Sequence, residues 1–187
     1  MAGTAIPSRP TPEQLRAAYG SKVPDVIARR LRVLFCGINP GLYSGAVGHH
    51  FARPGNRFWK ALHWSGITPR RLEPWEERTL LKFGCGITNI VERATATAGE
   101  LKDAEFAAGR RRLAARVGYY RPAAVAILGI GAYETGFRVR GTKPGLQQAG
   151  IGKSRLWVLP NPSGLNANYQ LADFVRLFKE LKQAVFR

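Results

Sequence analysis

The chain has 187 residues, 45% hydrophobic and 22% charged, which is enough material for one folded core. Lysine and arginine number 29 against 12 acidic residues, and the formal charge of +17 points to a polyanionic partner. No apolar run approaches the roughly 18 residues that cross a bilayer, and the start lacks the apolar core of a secretory signal, so an intracellular location and no membrane partner are expected.

Residues 1–10 contain Pro, Ser, Gly and Thr and read as a flexible N-terminus; residues 11–187 read as a single domain. Thr11-Pro12-Glu13-Gln14 fits a helix start, with a cap residue, proline in the first turn and acceptor side chains behind it. Leu15, Tyr19, Val23, Val26 and Ile27 supply apolar material for one or two short helices, with Pro24 interrupting them. Residues 33–36 form a short apolar run stopped by Gly37-Ile38-Asn39-Pro40-Gly41. This predicts a buried strand that runs into a stiff turn. Gly37 allows a close approach, Pro40 pushes Asn39 towards an extended backbone, and Gly41 permits a positive φ. Asn39 then has two readings: a turn asparagine bonded to its own backbone, or a functional amide at a strand end, where open α/β sheets hold their ligands.

Residues 42–55 are expected as a Gly-rich loop with Phe51 near its end, a type of segment that often carries function. Residues 56–65 read as a helix stopped by Gly66, its aromatics serving the core. Residues 74–83 read as a second helix with acidic residues in its first turn, and 84–91 as a second strand that leads into Glu92. Asp103 is a candidate cap for a helix over 104–118 whose run Arg110, Arg111, Arg112 and Arg116 is either a solvated face or a DNA-facing one. Residues 123–128 are a third strand followed by Gly129-Ile130-Gly131 and a short helix. The third glycine and later acidic residue of a dinucleotide fingerprint are missing. A basic loop or hairpin over 138–153, a fourth strand over 155–159 and a last amphipathic helix over 170–185 complete the chain. Strands that are apolar throughout, alternating with helices, predict an α/β three-layer helix-sheet-helix sandwich with a short, mostly parallel sheet of four or five strands. Cys36 and Cys85 lie in strand-like settings and are expected as reduced core thiols; no Cys/His spacing predicts a metal site.

Two turns stand out as a pair: Gly37-Ile38-Asn39-Pro40-Gly41 after the first strand and Asn161-Pro162-Ser163-Gly164-Leu165-Asn166 after the last. With Gly48-His49-His50-Phe51, Pro54-Gly55-Asn56-Arg57-Phe58-Trp59 and Ala126-Ile127-Leu128-Gly129 followed by Ala132-Tyr133-Glu134, the chain resembles the mismatch-specific uracil/thymine DNA glycosylases, a branch of the uracil-DNA glycosylase superfamily. The resemblance runs from about Leu31 to the last helix. It implies a uracil-DNA glycosylase-like fold and a monofunctional N-glycosyl hydrolase in base excision repair, working as a monomer in the cytoplasm and nucleoid without metal or cofactor. The implied partner is double-stranded DNA carrying a mismatched or damaged base, with uracil opposite guanine as the leading substrate. A buried base must be extruded into a pocket, and fixed donors there stabilise the charge that develops on the departing base.

The same resemblance implies the roles of individual residues. Asn39 would orient the attacking water through its amide oxygen. Phe51 would stack on the flipped base, against a core-packing alternative, and Ile38, Gly41 and Asn89 would border or read the base edge. Ser44 would lie at the uracil 5-position and disfavour a thymine methyl. Asn161, Ser163, Gly164 and Asn166 would shape a loop whose tip, Leu165, wedges into the stack; the alternative is a leucine turned inward. Family members often carry arginine two positions past the wedge, where this chain has Ala167, so contact to the opposite guanine is expected to be weaker or to come from Asn166. Glu92 would act as a general base or stabilise the sugar cation, against the alternative of an ion pair with Arg93 or Arg57. His49 and His50 are expected to structure the loop or touch phosphates. Lys143, Lys153, Arg155 and Arg53 are candidate phosphate contacts. The alternative to an enzyme is a non-catalytic nucleic-acid-binding protein on the same scaffold; a phosphate-ester hydrolase would need clustered carboxylates for metal, which the sequence lacks.

Overall fold

The computed structural model describes residues 8–186. Most of the expected flexible N-terminus therefore lies outside the described residues. Helix α1 (Pro12–Ala17) starts at a reciprocal cap: Gln14 N donates to Thr11 Oγ1 and Thr11 N donates to Gln14 Oε1 at 2.8 Å. The chain then runs antiparallel along the outer edge of the sheet, where Val26 N donates to Ile87 O and Ile87 N returns a bond to Val26 O at 2.7 Å. This covers an edge that would otherwise offer unpaired backbone groups.

Five strands form the sheet: β1 (Val33–Gly37), β2 (Cys85–Asn89), β3 (Ala124–Leu128), β4 (Gly145–Leu146) and β5 (Arg155–Leu159). Their order is β2-β1-β3-β5-β4, parallel except for the short antiparallel β4. The expected basic hairpin is thus β4 folding back on β5. Because successive strand residues face opposite sides, the apolar runs feed two cores. Phe35, Ile87, Ala126 and Trp157 face α3 (Phe58–Trp64) and α6 (Leu171–Val185). Cys36, Ile127 and Val158 face α4 (Asp103–Tyr120) and α5 (Ile130–Phe137). The result is the three-layer sandwich expected from the alternation of strands and helices. Phe35 stacks on Phe178 at 5.6 Å and meets the edge of Phe58 at 5.2 Å.

Local expectations differ from the structure in four places. Residues after Gly41 are not simply loop: α2 (Leu42–Val47) forms a short helix that ends at Gly48 with φ 73°. Gly41 itself is the extended residue before that helix, φ −74° and ψ 163°, so its expected positive φ is absent. Pro74–Phe83 is a 3₁₀ helix, whose three-residue repeat buries Glu77 and Leu80 on one side. Asp103 is the first helical residue of α4 rather than its cap, and Glu105 Oε2 accepts from Lys102 N at 3.0 Å. Cys36 and Cys85 are free and buried; burial pushes the Cys85 thiol up to about 12 and the Cys36 thiol up further.

Candidate active site

The connection leaving β1 passes to the α3 face, and the one leaving β3 passes to the α5 face. Between two neighbouring strands whose connections diverge, the loops leave a crevice at the carboxyl edge. A cavity of about 370 Å³ lies there, a size suited to a small ligand. Asn39 lines it from the end of β1, Asn89 from β2, Leu128 from β3 and Asn161 from β5. Ile38, Gly41, Ser44, Phe51, Ser163, Leu165 and Asn166 also line it, as do His50 and the candidate phosphate contact Arg53.

Asn39 is held by the loop that follows β2. Its Nδ2 donates to Arg93 O at 2.9 Å and to Thr95 Oγ1 at 2.7 Å. Arg93 O can only accept, which fixes which end of the amide is nitrogen. The Thr95 hydroxyl donates onward to Thr97 O at 2.7 Å, so it too accepts from Asn39. Both amide hydrogens are committed, and Oδ1 is the polar atom left for the cavity. The turn is tied down as well: Ile90 N donates to Gly37 O and Val91 N to Ile38 O, each at 2.9 Å. Thr95 sits in the loop after the second strand, and nothing in its spacing from Asn39 marks it as a partner.

Asn89 is buried, and its Nδ2 lies 3.3 Å from His50 Nδ1. His50 Nε2 is 3.0 Å from Pro24 O, an acceptor, so Nε2 carries the proton. Burial lowers the His50 pKa, which keeps the ring neutral and Nδ1 free to accept from Asn89. A relay from Asn89 through His50 to Pro24 O thus fixes the amide, with Oδ1 and one hydrogen left over. His49 pairs with Glu77, whose other oxygen accepts from His50 N at 2.8 Å, so both histidines structure the loop.

Gly37 makes this arrangement fit. A Cβ there would collide with Asn89 Oδ1 and lie 3.3 Å from the Phe51 ring. Phe51 adopts φ 52°, a left-handed conformation that costs about 1–2 kcal/mol outside glycine. Its ring packs on Phe58 at a 4.2 Å centroid distance and also lines the cavity, so the core-packing and pocket readings both describe it. Ser44 is buried and its Oγ accepts from Ala52 N at 3.1 Å, anchoring the same loop.

The loop after β5 stands at the cavity mouth. Leu165 is 72% exposed, the most exposed of the large apolar side chains among the described residues. Its position is set from below: Ser163 N donates to Asn161 Oδ1, and Asn166 Nδ2 donates to Asn161 O at 2.9 Å. Asn166 Oδ1 accepts from Asn168 N, so the Asn166 amide is engaged within the loop at both ends. Arg57, at the foot of α3, fastens the loop to the body. Its guanidinium donates to Asn166 O at 2.9 Å, Tyr169 O at 2.8 Å and Gly164 O at 3.4 Å, and its N–H donates to Pro162 O. Gly164 passes so close to Gly55 that a Cβ would lie 2.8 Å from Gly55 O. Arg57 belongs to the quoted Pro54–Trp59 stretch, but its partners are backbone carbonyls, which leave no trace in side-chain pattern.

Four candidates lie elsewhere. Glu92 does not line the cavity: its carboxylate binds Lys22 at 2.9 Å and Arg116 at 2.6 Å, and the two cations hold its pKa at about 2. These replace the expected partners, since Arg93 pairs with Glu105 and Arg57 holds the loop after β5. Lys153 precedes β5 and so sits at the opposite, amino edge of the sheet, as does Arg155. Lys143 is exposed just before β4 and outside the cavity lining. Of the arginine run, Arg110 and Arg111 are exposed, while Arg116 bridges Asp25 at 2.8 Å and Glu92.

An open parallel sheet with an amide-lined cavity at its switch point defines a ligand-handling α/β fold. A model of the Uracil DNA glycosylase superfamily matches residues 24–183, from the segment that covers the edge of β2 to the last helix. The chain belongs to that superfamily, a group of hydrolases that act on DNA as glycosylases.

Proposed function

We propose that the protein is a monofunctional uracil-DNA glycosylase of the mismatch-specific kind, which extrudes uracil from duplex DNA and hydrolyses its N-glycosidic bond. The observation that carries this reading is the fixed amide of Asn39, with both hydrogens bound and Oδ1 left at a cavity the size of a small ligand. Asn39 accepts a hydrogen bond from water and aims its oxygen at C1′ of the sugar. The C1′–N1 bond breaks, the base departs with the electron pair, and water supplies the hydroxyl of the abasic sugar while its remaining proton passes to the departing uracil anion or to solvent. Asn is too weak a base to remove the proton early, so orientation is its contribution.

Asn89 reads the base edge with Oδ1 and one hydrogen, which suits the N3–H and O4 of uracil. The His50 relay opposes the amide flip that cytosine would need. Phe51 stacks on the base, Ile38 and Gly41 border it, and Ser44 faces the 5-position. Leu165 fills the vacated stack, in a loop shaped by Asn161, Ser163, Gly164 and Asn166. With Ala167 beyond the wedge and the Asn166 amide tied into its own loop, the opposite guanine has few readers. Preference for U:G then comes chiefly from the lower cost of extruding a mispaired base. A single domain from residue 11 onward, a monomeric state and an intracellular site of action belong to the same proposal. Glu92 is assigned a structural role, as the acid that joins Arg116 and Lys22 at the exit of β2.

The reading is tested by single-turnover base release from end-labelled strands with uracil opposite guanine, opposite adenine and unpaired. Release is expected to be faster opposite guanine than opposite adenine, and equal rates on the two duplexes would remove the mismatch preference. Equal binding to all three without alkali-labile sites would favour the non-catalytic binder.

A further inference from the structure

Arg29, Arg30, Lys82, Arg121, Lys153 and Arg155 gather on the side of the sheet away from the cavity. Register places them together: Val33 lies beside both Cys85 and Ala124, and Ala124 beside Arg155. The residues just before these four strand starts therefore share the amino edge, and at about 4.8 Å per strand the row spans about 15 Å. All six side chains belong to exposed residues. Segments 29–32, 82–84, 119–123 and 152–155, which build this edge, contain no Asp or Glu. Further order comes from the aromatic pair at the end of α4. The Arg29 guanidinium sits 4.5 Å over the Tyr119 ring, itself 59% exposed, and Arg30 N donates to Tyr120 O at 2.8 Å. Arg30 and Arg121 both stand at positive φ, 59° and 51°, in the turns that present them.

Such a row is an electrostatic footprint for a phosphate backbone. A duplex engaged at the cavity lies against the carboxyl edge. Five-residue strands at about 3.3 Å per residue keep the two edges about 15 Å apart by backbone alone, and the two edges face opposite ways, so one straight duplex does not reach both. We propose that the amino edge of the sheet is a second binding site for double-stranded DNA, which lets one molecule hold two duplex segments and pass between them. The proposal rests on the glycosylase reading only for the identity of the first site.

The test is a count of short duplexes bound per protein at low salt, by sedimentation or titration of a labelled duplex of about one and a half turns. Wild type is expected to take up two, the second at least tenfold weaker and steeply salt-dependent. The triple variants R29E/R30E/R121E and R29Q/R30Q/R121Q, with melting temperatures checked against wild type, are expected to take up one. Both should release uracil from a short duplex within about twofold of the wild-type rate. A count of one for wild type, or of two for the folded Glu variant, overturns the proposal. Loss of all duplex binding in a folded variant also overturns it, because the two edges would not be independent. A wild type that binds two duplexes but releases no uracil would sink the glycosylase reading alone.

Discussion

Asn39 differs from an ordinary turn asparagine in where its hydrogens go. They leave its own turn and cross to Arg93 O and Thr95 Oγ1, which is what frees Oδ1 for the cavity. Asn39→Ala is expected to lower base release about 10²- to 10³-fold with duplex affinity retained, as single-turnover rates and anisotropy would read. Thr95 gives a finer check. Thr95→Val removes the acceptor and lets the amide turn, so kcat should fall about tenfold with KM unchanged, whereas Thr95→Ser should keep most activity. A matched loss in both variants would mean that Thr95 only packs. That Asn39, Phe51, Asn89 and Leu165 would meet at one cavity was legible because each is a chemically distinctive group at a strand end or loop tip. Thr95 and the His50 relay were not, because their roles depend on which atom faces which across 56 and 39 residues of chain.

At the scale of elements, short apolar runs ending in Gly, Asn and Pro announced β1, β2, β3 and β5, since a strand covered on both faces has nothing else to be. The helix inside 42–55 was hidden by its glycines, and the 3₁₀ form of 74–83 by a burial pattern only a fold can supply. Glu92 shows the limit most plainly: a carboxylate at a strand end reads as catalytic, yet Arg116 reaches it from α4 and Lys22 from the segment before β1. Its depressed pKa adds stability above its ordinary value of 4.5, and that contribution is lost as pH falls towards about 2. Glu92→Gln should therefore lower the melting temperature at pH 7, with the deficit shrinking below pH 4.5; a deficit that stays constant down to pH 2.5 would contradict the ion-pair role. Arg57 links two elements, α3 and the loop after β5 that carries Leu165. Arg57→Lys keeps the charge but cannot span three carbonyls, so it should slow uracil release from duplexes about tenfold and from single strands much less. Equal losses on both substrates would detach Arg57 from the wedge.

Across the whole molecule, the sheet separates two edges of different chemistry. The carboxyl edge gathers amides, an aromatic ring and an exposed leucine around a cavity; the amino edge gathers cations without acids. The excess of positive charge was evident in the composition, but its division between edges was not, since Lys153 and Arg155 lie close in sequence to Asn161 and a full strand away from it in space. Duplex affinity should fall steeply with salt, in proportion to the phosphates neutralised, and the slope should drop when the amino-edge arginines are replaced. An unchanged slope in those variants would leave these arginines without a role in DNA binding.

The most direct test of the account is alkali cleavage of an end-labelled duplex carrying one uracil opposite guanine, with wild type and Asn39→Ala compared at equal occupancy. Cleavage at the uracil position by wild type, reduced at least about 100-fold in the variant, is the predicted result. Undiminished cleavage by Asn39→Ala, or none by wild type bound to the same duplex, would contradict it.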